Sequence, residues 1–241
     1  MLNKIYLMEK PNTEELILKL EKALEEDKIL ESTSRNVKEF LTTKGIPEIM
    51  QNSVTEILQS ENWEELNDRF HANLAFGTGG MRGRTIGKLI TSAEKGKENE
   101  QGGPQFAAVG TNTLNEITLL RATKALYLYV NHWMSCEGIL EQPRLVVAHD
   151  VRHFSEKFSN LVATTWTRLG GFAMVFDGPR STPQLSFTVR NRYAHAGVVI
   201  TASHNPYHDN GFKAYFDDGA QLIPPHVDAV VNNYKKINLE E

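Results

Sequence analysis

Apolar residues recur at helical spacing near the amino terminus and gather into short β-branched runs toward the carboxyl terminus. Between residues 13 and 26, Leu16, Ile17, Leu20 and Leu24 fall on one helix face among Glu and Lys, and the stretch 34–59 reads as a second amphipathic helix. Both are expected to pack on the outside of a larger domain, with their charges forming a solvated face. Thr113 followed three residues later by Glu116 has the form of a capping box. It opens a long helix that carries Ile117, Leu120, Ala122, Ala125, Leu126 and Val130 toward a sheet.

From Leu145 the pattern alternates. Residues 145–149, 172–176 and 196–201 read as strands, with helices over 155–169 and 183–193 between them. This βαβαβ order implies a largely parallel sheet with right-handed crossovers, and the loops that follow its strands open on one edge. A further strand from Phe212 and a helix after Pro224-Pro225 complete the unit. The expected fold class is α/β: a three-layer α/β/α domain with a mixed, mostly parallel sheet over residues 51–241, preceded by a helical extension over 1–50. Residues 88–107 form an insertion whose centre is too charged and glycine-rich to bury, and it is expected to be a mobile surface segment.

Composition narrows the function classes. The chain has 241 residues, enough for one good core, and 40% of them are hydrophobic. A net charge of −4 and the lack of a basic stripe argue against nucleic-acid binding. Cys136 is the single cysteine, so no internal disulfide can form, and near a helix end it is expected to serve packing. The short apolar stretch before Glu9 and Lys10 makes a poor signal peptide and no run approaches membrane-spanning length, so a cytoplasmic protein without membrane partners is expected. His149 with His153, and His204 with His208, are four apart, yet neither pair lies on a convincing helix and no third zinc ligand is evident.

Two segments carry chemistry. Thr201-Ala202-Ser203-His204-Asn205-Pro206 follows a strand and is continued by Tyr207-His208-Asp209-Asn210-Gly211-Phe212-Lys213. Ser203 thus stands just past the carboxyl end of a strand, where open α/β sheets bind ligands. Pro206 disfavours helix at Asn205, and Asn210-Gly211 is expected to reverse the chain so that Lys213 returns near Ser203. The second segment, Phe76-Gly77-Thr78-Gly79-Gly80-Met81-Arg82-Gly83, sets four glycines beside one arginine, which suits backbone amides and a guanidinium closing on an anion. It matches neither common nucleotide loop, because Arg82 interrupts Gly-x-Gly-x-x-Gly and no Gly-Lys-Ser/Thr follows.

Together these segments resemble the phosphoglucomutase/phosphomannomutase family, the α-D-phosphohexomutases, whose patterns are Thr-x-Ser-His-Asn-Pro with a following Asn-Gly-x-Lys, and Phe-Gly-Thr-x-Gly-x-Arg-Gly. The run from Trp63 to His71 and the later Gly110-Thr111-Asn112 extend the likeness toward the branch with phosphoglucomutase-2 and phosphopentomutase-like enzymes. The resemblance implies that Ser203 is the phosphorylated nucleophile, that Lys213 serves in acid/base chemistry, and that Arg82 and His204 complete the catalytic set. Thr78, Gly79, Arg82, Asn205 and Lys213 are the implied substrate contacts. It further implies Mg²⁺ bound to the Ser203 phosphate, a sugar 1,6-bisphosphate as phosphoryl donor, and interconversion of sugar 1- and 6-phosphates of glucose or mannose, with pentose phosphates as the alternative. Asp150 and Arg152 follow the first strand of the alternation, where the family has an Asp/Arg run; they could brace the serine loop or form a simple surface pair or turn cap.

The family holds its metal with an Asp-x-Asp-x-Asp loop, and none occurs here. The likeness spans about residues 50–235, so the chain is expected to be the amino-terminal domain of a longer enzyme and inactive without the remaining domains. A non-catalytic phosphosugar-binding domain is the rival reading. A Ser-His hydrolase is weaker, since Gly-x-Ser-x-Gly is missing and His204 adjoins Ser203 in sequence.

Overall fold

The computed structural model describes residues 12–77, 79–97 and 102–238. Four helices come first: α1 (Thr13–Glu25), α2 (Glu31–Thr42), α3 (Glu48–Gln59) and α4 (Trp63–Phe70). The stretch 34–59, expected as one helix, is two, because Pro47 has no amide hydrogen to continue a helix and instead caps the start of α3. Nor do these helices merely coat another domain. Their apolar faces meet in a core of their own built from Leu20, Val37, Phe40, Val54, Ile57, Leu58, Leu66 and Phe70. That core runs without a break across residue 50 and takes in Val109 from farther along the chain.

The sheet and its helices follow as β1 (Gly80–Arg84), α5 (Ser92–Lys95), α6 (Glu116–Cys136), β2 (Arg144–His149), α7 (Ser155–Arg168), β3 (Phe172–Val175), α8 (Thr182–Asn191), β4 (Ala196–Ile200), β5 (Asp209–Phe216) and α9 (His226–Lys236). Strand order is β1-β5-β4-β2-β3. β2 runs parallel to β3 and β4, whereas β5 is antiparallel to both β4 and β1, so the sheet is mixed. Alternation along the strands divides the core. Leu145, Val147, Val198, Ile200 and Phe212 face α6, α7 and α9, while Val146, Ala148, Val199 and Tyr215 face Leu185 and Val189 of α8. This is the expected α/β/α sandwich.

Several local expectations change. The cap of α6 is Asn115, which accepts from the Thr118 amide at 3.1 Å while Thr118 Oγ1 accepts from the Asn115 amide at 2.9 Å. Thr113 instead turns its hydroxyl onto the Ala108 carbonyl at 2.7 Å. Asn210-Gly211 is no reversal but lies inside β5, and the second half of the glycine-rich segment is strand β1. Cys136 is exposed rather than packed, with its sulfur 3.7 Å from His132 Nε2.

The insertion is also better anchored than its charge suggests. Glu94 is only 2% exposed and accepts from Ser53 Oγ at 2.8 Å and from the Val109 amide at 2.9 Å. It also pairs with Arg69, which is wholly buried and donates to Glu65 at 2.8 Å and to the Leu89 carbonyl at 2.6 Å. A charged side chain is buried here because a second, opposite charge is buried with it. Residues 98–101, the centre of the insertion, lie outside the described residues.

Candidate active site

From β2 the chain crosses through α7 to β3 on one side, then through α8 to β4 on the other side of β2. The order of the sheet therefore reverses between β2 and β4, and a crevice beyond the carboxyl ends of two such strands is the usual ligand site of an open α/β sheet. The segments that leave these two strands are the Asp150–Arg152 turn and the loop from Thr201 to His208.

Ser203 stands exposed at the tip of that loop with φ of 59°, a left-handed conformation uncommon for a residue with a Cβ. The turn is held from within by Thr201 Oγ1, which accepts from the Ser203 amide at 3.0 Å. Arg152 holds it from outside. Its Nη2 donates to the carbonyls of Ser203 at 2.9 Å and Asn205 at 2.7 Å, and its Nη1 to those of Pro206 at 2.7 Å and Asp209 at 3.1 Å. Asp150 pairs with Arg152 Nε at 3.2 Å and accepts from Ser155 Oγ at 2.7 Å. Ser155 in turn accepts from Asn210 Nδ2 at 2.8 Å. The alternatives left open for Asp150 and Arg152 coexist: Asp150 Oδ1 caps the turn by accepting from the Arg152 amide at 2.9 Å, the two side chains pair, and the one planar guanidinium braces the loop by satisfying four of its carbonyls at once.

On the other flank, the Thr85 amide and hydroxyl reach the His208 carbonyl at 2.7 and 3.0 Å, which ties the loop to the end of β1. Strand register places the cations. Gly80 lies opposite Lys213 and Arg82 opposite Gly211, so Arg82 and Lys213 project from one face of the β1–β5 pair. A Cβ at position 211 would come within 3.2 Å of Arg82 Cγ and 2.5 Å of the Thr201 carbonyl, so the Arg82 stem lies over bare backbone beside the residue that opens the serine loop. Gly80 is required for the same approach: its φ is 146° and a Cβ there would meet the Phe212 carbonyl at 2.0 Å. Part of the glycine content thus serves strand packing, and the amides of Gly77 and Gly80 are already used on each other's carbonyls.

Lys213 is half-buried. Burial, and after it the Arg82 guanidinium, pull its ammonium below the ordinary lysine range, with Asp150 acting in the opposite sense. Beside the loop lies a depression of about 200 Å³ whose lining includes Arg82, Arg84, Asn205, Asp209, Asp68 and Asn112.

The structure thus gathers Ser203, Arg82, Lys213 and Asn205 at one sheet edge. Asn205 donates to Asp209 Oδ2 at 3.1 Å, which orients its amide. His204 adjoins Ser203 on the exposed turn. The Gly79 carbonyl accepts from the Ala214 amide at 2.9 Å and from Gln221 Nε2 at 3.1 Å. Thr78 lies outside the described residues. Ser155 and Gln221 stand in no local motif, and Asn210, expected to turn the chain, instead binds Ser155 where β5 passes the start of α7; the spacing of Asp150, Arg152 and Ser155 is the available signal for Ser155. His149, weighed as a metal ligand, is buried with Nδ1 against the Asp150 carbonyl at 2.8 Å.

Among the described residues no three His, Cys, Asp or Glu side chains converge to hold a metal ion. Asp150 and Asp209, the carboxylates of this loop cluster, are engaged by Arg152, Ser155 and Asn205. The described part of the chain therefore does not form a Mg²⁺ cage.

Residues 107–241 match the family described as phosphoglucomutase/phosphomannomutase, alpha/beta/alpha domain I. The chain belongs to the phosphoglucomutase/phosphomannomutase family. It is 32% identical over 194 residues to the phosphopentomutase of Homo sapiens, which covers 78% of this chain and 28% of that protein. It is likewise 32% identical over 176 residues to a phosphoglucomutase of Staphylococcus saprophyticus, covering 73% of this chain and 27% of the relative. A solved Thermus thermophilus protein, provisionally named phosphomannomutase, is similar with a TM-score of 0.50 and 25% identity over 67% of this chain and 30% of its own. The chain thus spans less than a third of these relatives. The family match begins at the last residue of the insertion, and the pairing of β1 with β5 is what brings Arg82 beside the serine loop of this phosphomutase-family domain.

Proposed function

We propose that this chain is the serine-bearing domain of a phosphosugar mutase that interconverts sugar 1-phosphates and 6-phosphates. The observation that carries this reading is an exposed serine on a turn braced by Arg152, beside a face from which Arg82 and Lys213 both project. Phosphorylated Ser203 gives its phosphoryl group to a free sugar hydroxyl: the sugar oxygen bonds to phosphorus and its proton passes to the Lys213 amine, while the bond from phosphorus to Ser203 Oγ breaks and the departing oxygen takes up a proton to become the serine hydroxyl, so the proton count is unchanged. The reverse sequence, on the other phosphate of the resulting bisphosphate, restores phospho-Ser203. Burial and then the Arg82 guanidinium destabilise the Lys213 ammonium, which makes its neutral amine, the form that takes that proton, more accessible than in an ordinary lysine. Arg82 supplies fixed positive charge to the in-line transition state, and His204 and Asn205 contact the phosphate or the sugar.

Mg²⁺, when bound to the Ser203 phosphate, would add charge stabilisation, with its other ligands and the distal phosphate clamp coming from further domains. Sugar 1,6-bisphosphate loads the serine. Glucose and mannose phosphates fit this reading, and the relatives named phosphopentomutase and phosphoribomutase favour pentose phosphates as a second substrate class. The partners are then a sugar phosphate and the remaining domains, in the cytoplasm. No described helix is long and apolar enough to cross a membrane.

Intact-mass measurement after incubation with glucose 1,6-bisphosphate tests the reading. One added phosphoryl group that maps to Ser203 and vanishes in Ser203→Ala supports it. An unmodified Ser203 in the enzyme carrying all its domains would favour a non-catalytic sugar-phosphate-binding domain.

A further inference from the structure

The depression beside the serine loop reaches past Arg82 to residues that phosphoryl transfer does not use. Arg84 follows Arg82 by two positions on β1, so both side chains leave the same face of the strand, roughly 7 Å apart along it. Arg84 is itself opposite Asp209, which orients Asn205. The far wall comes from the helical layer: Asp68 of α4 approaches Arg84 Nε to only 3.9 Å, too long for a committed hydrogen bond. Its side chain keeps 39% of its exposure and that of Arg84 keeps 24%. Asn112 is fixed at the rim, because its Nδ2 donates to the Asp68 backbone carbonyl at 3.0 Å and its amide to the Arg69 carbonyl at 2.9 Å.

A carboxylate with open acceptor positions and a guanidinium with open donors, loosely paired across a small cleft, can accept from and donate to neighbouring hydroxyl groups. Phosphate alone has no use for the carboxylate, which would repel it. A polyol does.

We infer that Asp68 and Arg84 form a hydroxyl-reading subsite that receives the sugar ring while its phosphate lies toward Arg82 and Ser203. The inference rests on the proposed function and gives the helical layer a part in substrate recognition. Asp68 accepts from ring hydroxyls and Arg84 donates to them, while α4 is held in place by the buried Arg69–Glu94 junction behind it.

Calorimetric titration of the full chain with two probes, glucose 1-phosphate and inorganic phosphate, tests it. Wild type should bind glucose 1-phosphate more tightly than phosphate. Asp68→Asn and Arg84→Gln should each weaken glucose 1-phosphate about tenfold and leave phosphate affinity unchanged, which also shows that the variants are folded. Equal affinity of wild type for both probes, or variants that keep glucose 1-phosphate affinity or lose both affinities alike, overturns the subsite. Arg82→Gln and Lys213→Met, in the same titration, should lose phosphate; if they keep it, the anion site of the proposed function fails instead, independently of any selective loss at Asp68 and Arg84.

Discussion

The Arg152 guanidinium donates to the carbonyl oxygen of Ser203 at 2.9 Å, and with three further loop carbonyls on its other donors it fixes the backbone that presents the hydroxyl. A left-handed serine on a solvent-facing turn would otherwise sample other conformations. Arg152→Ala removes four charge-assisted bonds and leaves Asp150 without its cation, so we expect a stability loss of about 2–4 kcal/mol in urea denaturation. Phosphorylation of Ser203 by glucose 1,6-bisphosphate should slow more than the folded fraction explains. Arg152→Lys retains charge but not the planar fork, and should recover stability better than phosphorylation. Equal recovery of both would mean that Arg152 acts on the fold alone.

The strands and helices after residue 145 were legible because β-branched runs and amphipathic runs differ in period, and the tertiary structure agrees with both. In the antiparallel half β5 was legible from Phe212 onward, though it begins at Asp209, but β1 was not. Gly80 to Arg84 carries no apolar alternation and becomes a strand only because bare glycine backbone packs against Phe212 and Lys213. The Asn210-Gly211 pair, a turn signal by itself, is overridden by the hydrogen bonds of Asn210 to Ser155 and His153. Burial of Glu94, inside the segment expected to be mobile, depends on the burial of its partner Arg69, distant in sequence, and leaves no local trace. In the site, the serine and lysine positions were readable from spacing, but the brace through Arg152 required the crossing of two separate loops.

Lys213 should react with amine-directed reagents faster than the exposed lysines at mildly alkaline pH. Its pKa is depressed by burial first and then by Arg82, so a larger fraction is neutral amine. Peptide mapping after brief labelling checks this. In Arg82→Gln the charge repulsion is gone, the pKa returns part of the way toward 10.5, and labelling of Lys213 should slow. The linked stability effect has a definite sign: between the folded pKa and 10.5 the unfolded chain binds more protons, so the contribution of Lys213 to stability grows as pH rises through that window.

Glu94→Ala should destabilise the protein by about 3–5 kcal/mol, because it leaves the wholly buried Arg69 facing only Glu65 and carbonyls. The acceptor for Ser53 Oγ and the Val109 amide is lost in the same step. Removal of the exposed Lys88–Glu64 pair at 3.0 Å, only a few residues away, should have little measurable effect. Urea midpoints for the two variants make the comparison. Similar shifts would mean that the helical core, rather than the ionic junction, holds the insertion in place.

His195 ties the starts of β2 and β4 together at the edge of the sheet opposite the serine loop. Its Nδ1 accepts from the Arg144 amide at 3.0 Å and its own amide donates to the Arg144 carbonyl at 2.9 Å. Burial, then the Arg144 charge, lower its pKa below 6.5, with Glu141 and Asp217 opposing. An accepting Nδ1 cannot carry a proton, so protonation would also break the bond to the Arg144 amide. Below the unfolded value of 6.5 the unfolded chain takes up the proton first, so this contribution to stability is complete above that pH and is lost as pH falls toward the folded pKa. The urea midpoint of wild type should therefore drop between about pH 7 and pH 5 by more than that of His195→Asn, whose side-chain carbonyl can accept from the same amide at either pH. Parallel pH profiles for the two proteins would assign the acid sensitivity to other groups.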